Sequence, residues 1–118
     1  MEISGQAVLL RIFIGESDKL GHVPLFEAIV KQARDAGLAG ATVLKGVLGY
    51  GATARIRTTK ILDLSADLSM VVEIVDEESK VKSFQGQLAG LFDRAGCGGL
   101  VTLEKVGVIH YVPEKGAR

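Results

Sequence analysis

The sequence predicts an α+β sandwich in the order β-α-β-β-α-β, the split βαβ arrangement with two helices on one face of a four-stranded antiparallel sheet. Three observations point there. Four short apolar segments rich in Val, Ile and Leu have strand character. Two longer segments repeat apolar residues at three- and four-residue spacing, the mark of one helical face. Glycine, proline or polar clusters stand at most of the boundaries. The 118 residues supply one core, since a second would have to be built from about sixty. We therefore read 1–118 as a single domain with its core at about 7–109 and a polar tail at 110–118.

In chain order, residues 6–14 are almost continuously apolar around Arg11, as in a strand buried on most of both faces. A polar loop follows at 15–21, and then Pro24 stands where a first helical turn accepts proline because its missing N–H has no partner there. The helix expected from about Val23 places Leu25, Phe26, Ile29, Val30 and Ala33 on one face, and Gly37 closes it in a left-handed conformation. Residues 41–50 read as the second strand, with Val43 and Val47 on one side, Leu44 and Leu48 on the other, and Lys45 between. The stretch 49–60 holds three basic residues, three threonines and no acid, so 51–60 reads as a long mobile loop. Residues 61–64 suit a short strand, and 70–75 form a clear one. Asp76, Glu77 and Glu78 then suit the N-terminus of a second helix. Its apolar face is Val81, Phe84, Leu88, Leu91, Phe92 and Ala95, and it stops at Gly96-Cys97-Gly98-Gly99. Gly86 and Gly90 within it each cost up to about 1 kcal/mol relative to Ala, so either close packing requires them or the helix is soft. Residues 100–109 form the last strand.

The second sheet face is the informative one. A solvated face would give clean apolar and polar alternation. Instead Leu9 and Phe13 flank Arg11, Val43 and Val47 flank Lys45, Val71 and Val75 flank Glu73, and Leu103 neighbours Lys105. Each strand is thus expected to give this face one charge among apolar residues, a patch larger than monomers normally tolerate. Self-association through the sheet accounts for it, with Arg11, Lys45 and Glu73 pairing at or near the interface.

Composition removes several classes. Fourteen basic and fourteen acidic residues leave no net field to collect nucleic acid or an anionic membrane surface. Although 47% of residues are hydrophobic, no run approaches the ~20 needed to span a bilayer, so no membrane insertion is expected. Met-Glu-Ile-Ser-Gly has neither a basic stretch nor an apolar signal core, which predicts a cytoplasmic location. Cys97 alone cannot make an internal disulfide, and with only His22 and His110 beside it a one-chain zinc site is not expected. An aromatic content of 5% without Trp argues against stacking on single-stranded nucleic acid.

The strongest local chemistry is Gly46-Val47-Leu48-Gly49-Tyr50-Gly51 leading into Arg55, Arg57 and Lys60. Glycines let backbone approach a ligand closely, and arginines offer forked donors to phosphate or carboxylate oxygens. There is no Gly-Lys-Ser/Thr and no third glycine of a dinucleotide fingerprint. Three charge-assisted hydrogen bonds of about 1.5 to 3 kcal/mol each would reach the micromolar range. Spacing alone leaves two readings open, an anion site or a solvated basic loop. Ser17 lacks the following glycine of a nucleophile elbow and a placed histidine. His22 reads as a capping or packing residue and Cys97 as a small buried hydrophobe. Arg11 is compatible with acyl phosphate hydrolysis on this architecture, but the chain has no Asn to position the water.

Residues Gly37-Leu38-Ala39-Gly40-Ala41-Thr42-Val43, the Gly46 to Gly51 run and Val71-Val72-Glu73-Ile74-Val75-Asp76 resemble the PII-type signalling proteins. Arg11-Ile12-Phe13-Ile14-Gly15-Glu16-Ser17-Asp18 and Gly21-His22-Val23-Pro24-Leu25 resemble most a PII-like branch, domain of unknown function 190. The resemblance spans about 9–109. It implies a ferredoxin-like fold, a homotrimer with its sheets turned to a central axis, and a T-loop after Gly51 that contacts partners and reports a bound effector. It further implies a nucleotide cleft between subunits bordered by Gly49 and Gly51, with Arg55, Arg57 and Lys60 in the loop and Gly98 in the second glycine loop. That second loop has none of the lysines of ATP-binding PII proteins, and His110, Tyr111, Val112 and Pro113 replace the basic residues after the last strand. The effector implied is an adenine nucleotide or another small anionic metabolite, with no other cofactor. The implied protein is a non-enzymatic sensor, with a membrane transporter or ion channel as a possible partner. The alternative is a small trimeric enzyme or a metal-tolerance protein of the related trimeric type.

Overall fold

The structure, a computed structural model, describes residues 5–51, 56–58 and 67–113. Its elements are β1 (Gly5–Gly15), β2 (Lys19–Leu20), β3 (Val23–Pro24), α1 (Leu25–Asp35), β4 (Thr42–Lys45), β5 (Leu48–Gly49), β6 (Arg57–Thr58), β7 (Ser69–Asp76), α2 (Glu78–Ala95) and β8 (Leu100–Val108). Strands β4, β7, β1 and β8 lie in that order in one antiparallel sheet, the expected βαββαβ topology. Two small pairs, β2 with β3 and β5 with β6, stand apart from it.

The core lies between the sheet and the helices. Leu10, Ile12 and Ile14 of β1 stand directly opposite Ile74, Val72 and Met70 of β7, and with Val8 all meet Leu25, Ile29 and Ala33 of α1 and Val81, Phe84, Leu88 and Leu91 of α2. Helix ends follow local chemistry. Gly37, at φ 81°, donates to Arg34 O while Leu38 N–H reaches Ala33 O at 3.1 Å, so two free carbonyls of α1 are satisfied and Leu38 is buried. Gly96 caps α2 in the left-handed region at φ 69°. Pro24 precedes the first helical turn as its N-cap, with Val23 in β3, so α1 begins two residues later than the sequence predicts. Gly86 and Gly90 have open space where a Cβ would stand, so packing within this chain does not require them.

Four expectations are corrected by the pairing register. The segment 41–50 is not one strand: β4 ends at Lys45, Gly46 makes a last bond to Ser69 O at 2.8 Å, and β5 starts a separate pair. Likewise Val43 and Lys45 oppose Val72 and Met70 and share the helix side, whereas Thr42 and Leu44 occupy the open face. On β8, Leu103 and Lys105 oppose Leu10 and Val8 on the helix side, and Glu104 is the open-face charge. Arg57 and Thr58, placed in the loop by sequence, pair with Gly49 and Leu48. Residues 61–64 lie outside the described part.

Candidate functional site

The open face of the sheet, mostly half-buried along β1 and β7 and exposed along β4 and β8, has a charge cluster at its centre. Arg11 Nε donates to Glu73 Oε2 at 2.8 Å and its Nη1 to Glu104 Oε1 at 2.6 Å. The geometry follows from register, since Arg11 faces Glu73 on one side and Thr102 on the other, with Glu104 one diagonal step away. The Glu73 hydrogen bond, and with it the negative charge of both carboxylates, raises the Arg11 pKa above its ordinary value against the opposing effect of desolvation. Leu9, Phe13, Val71 and Val75 surround this cluster on the neighbouring positions of the same face. Lys45, expected here, instead points to Glu16 at 2.8 Å.

A groove of about 770 Å³ opens at one end of that face. Its floor is made by two cross-strand pairs, Thr42 with Glu73 and Leu9 with Val75. One wall is the 39–41 segment, the other the end of β8 with His110 and Tyr111. Asp76, fully buried, fixes the first wall: its carboxylate accepts Ala39 N–H at 2.9 Å and Glu77 N–H at 2.7 Å. A hydroxyl, a carboxylate and apolar walls together suit a flat polar molecule with one apolar side. Sequence reasoning did not find this site, because its walls are some 70 residues apart in the chain. The small residues before Thr42 and the acid ending β7 were the available signals.

The described residues among those nominated from sequence lie at the other end. Gly49 pairs with Arg57 in the β5–β6 hairpin, Gly51 ends the described stem, and Gly98 sits in the exposed loop between α2 and β8. Arg55 and Lys60 lie outside the described residues. Because β4 and β8 are opposite edges, three strand spacings or about 14 Å separate the two glycine loops. Gly49, Gly51 and Gly98 have nothing within 4 Å of a built Cβ. Gly99 differs, since its Cβ would lie 2.8 Å from Phe13 O, which locks the second loop against β1. From Thr42 to Gly46 the chain covers about 13 Å, so the groove and the glycine end are distinct places on one chain.

The remaining candidates have structural surroundings. Ser17 N–H donates to Asp67 Oδ1 at 2.8 Å within the turn after β1. His22, expected to cap or pack, is instead exposed at the tip joining β2 to β3 and caps no helix. Burial pushes the half-buried Cys97 thiol up, and the charge of Asp18 adds to the shift.

A βαββαβ sheet with one helix-covered and one open face, and a glycine-hinged stem leaving the end of β4, is the PII-like, ferredoxin-like fold. Residues 7–108 match the family DUF190, described as an uncharacterized ACR, and the chain belongs to that family. It is 41% identical over 102 residues to a UPF0166 protein of Aquifex aeolicus (strain VF5), covering 86% of this chain and 92% of the relative. A UPF0166 protein of Methanocaldococcus jannaschii is 34% identical over 76 residues, 64% of this chain and 69% of the relative. Among solved structures it is similar to CPII, a nitrogen regulatory PII-like protein from Thiomonas intermedia K12 bound to ADP, AMP and bicarbonate, at TM-score 0.64 and 16% identity over 87% of this chain and 88% of the other. A Thermus thermophilus protein described as PII-like gives TM-score 0.64 and 18% identity, covering 91% and 94% of the two chains. Among the described residues no helix is long and apolar enough to cross a membrane.

Proposed function

We propose that this chain is a non-enzymatic, cytoplasmic PII-like regulator that assembles as a homotrimer and binds a small anionic metabolite, an adenine nucleotide foremost, between subunits. The observation behind this is the open face, with a groove at one end and the unfilled glycine positions at the other. One chain cannot bring these together over a ~13 Å strand. Two copies packed through their open faces can set the groove of one beside the glycine end of the next. The edge strand β8 supports such packing, being exposed on both faces, with Leu100 at 58% and Val101 at 40%. Nucleotide and bicarbonate binding by CPII gives the ligand class to try first.

In this reading Thr42 and Glu73 receive the base and sugar end of the ligand. Gly49, Gly51, Arg55, Arg57, Lys60 and Gly98 border its anionic end, and the segment after Gly51 signals occupancy to a membrane transporter or channel. Isothermal titration with ADP, AMP, ATP and bicarbonate, with light scattering in parallel, tests it. The expected results are a mass three times 12.5 kDa and an affinity that falls at least tenfold in Arg55→Ala/Arg57→Ala. A single-chain mass, or conversion of the ligand to a product in mass spectrometry, overturns it.

A further inference from the structure

The turn that closes β1 is tied to both ends of the segment joining β4 to β7. Lys45, the last residue of β4, places Nζ 2.8 Å from Glu16 Oε2. Asp67, two residues before β7, accepts Ser17 N–H at Oδ1 at 2.8 Å, and Leu68 O accepts Glu16 N–H at 2.8 Å. Asp18 braces the turn from within. Its Oδ2 accepts Gly15 N–H at 2.8 Å, and its carbonyl accepts the N–H of Leu25, the first residue of α1, at 2.8 Å. Both carboxylates crowd one point: a Cβ on Gly15 would lie 3.0 Å from Asp67 Oδ2 and 3.3 Å from Asp18 Oδ2.

We propose that the 15–18 turn is a clamp that sets the direction in which the β5–β6 hairpin leaves the sheet, with Glu16 positioning the entering stem through Lys45 and Asp67 holding the turn that carries Glu16. The two arms differ in strength. Glu16 and Lys45 are 35% and 49% exposed, so their pair is weak and screened by salt. The Asp67 arm is a charge-assisted bond to backbone, which is shorter and stronger. The entering stem is therefore the releasable one, hinged at Gly46–Val47 where β4 ends and β5 has not begun. This goes beyond the effector reading and does not depend on it.

Amide hydrogen exchange on the full chain without added ligand tests the clamp. Glu16→Gln should speed exchange at Leu48–Gly49 and Arg57–Thr58 by two- to fivefold, leaving β1 and the centre of β7 unchanged. Molar salt applied to the native chain should do the same. Asp67→Ala should speed exchange tenfold or more and extend it to Glu16 and Ser17. Gly15→Ala, which alters no charge, should loosen the turn and with it the hairpin by pushing on the Asp67 and Asp18 carboxylates, and it replaces Asp67→Ala if that variant does not fold. The charge swap Glu16→Lys with Lys45→Glu should restore native rates, which a merely structural role for Glu16 would not allow. Unaltered exchange over the hairpin in both Glu16→Gln and Gly15→Ala, or a swap that rescues nothing, overturns the proposal.

Discussion

On β1, Val8, Leu10, Ile12 and Ile14 are closed over by α1 and α2, whereas Leu9, Arg11 and Phe13, one residue out of step, stay half-exposed. The two sets belong to the same strand, and only the open one carries a charge. The helix side excludes charge from β1 and β7 almost entirely, and the one buried acid there, Asp76, ends its strand with both oxygens bonded to backbone. The open side places Arg11 at its centre between two carboxylates. A guanidinium already paired in this way can be covered by another surface without being left as an isolated buried charge. One face is thus finished by the chain itself, and the other is left open with its central charge already paired.

The largest expected contrast comes from truncating each face in turn. Phe84→Ala on the helix side should cost about 3 to 5 kcal/mol in urea unfolding. Leu9→Ala should barely move the unfolding midpoint at high dilution yet shift the proposed trimer towards lighter species in light scattering. Equal stability losses from both substitutions would erase the distinction between the faces. Arg11→Ala sharpens the same contrast, because it leaves Glu73 and Glu104 without their common cation. The scattering mass at fixed protein concentration should fall, and added salt should restore part of it by screening the carboxylates. A mass unmoved by this change would separate the cluster from association.

Smaller effects probe the outer surface. Gly86→Ala and Gly90→Ala should each raise stability by about 0.5 to 1 kcal/mol in the same urea assay, since a Cβ has open space at either position. Loss of stability instead would reveal that something outside the chain packs on α2. The least effect concerns Cys97. Its raised thiol pKa keeps the unreactive protonated form dominant to higher pH than in a free cysteine. Iodoacetamide labelling should reach half-maximal rate above the pH found for a cysteine peptide, and a midpoint below it would contradict the burial and the nearby Asp18.

The element order and the faces of β1 and β7 were legible because these are central strands. Leu9, Arg11 and Phe13, and equally Val71, Glu73 and Val75, stand out of step with fully buried neighbours. The edge strands gave no such contrast. Lys45 and Lys105 were assigned to the open face from charge position alone, and pairing register moves both. Strand β8 is exposed along most of its length on both faces, so burial left little alternation in its sequence to read. The glycine hinge at Gly46 was visible as composition, but the strand break it makes depends on Ser69, which accepts its N–H from far along the chain. The groove required folding to bring the 39–41 and 107–111 segments to one place, and no local pattern announces such a meeting.

The outer side of β8 has a further meaning for how this protein must be handled by the cell. Among the described residues that strand borders the sheet, nine residues long and without proline, so its outward backbone groups form a ready template for any passing extended chain. In the proposed assembly a second copy would shield a newly made chain from such contacts as well as complete a ligand site.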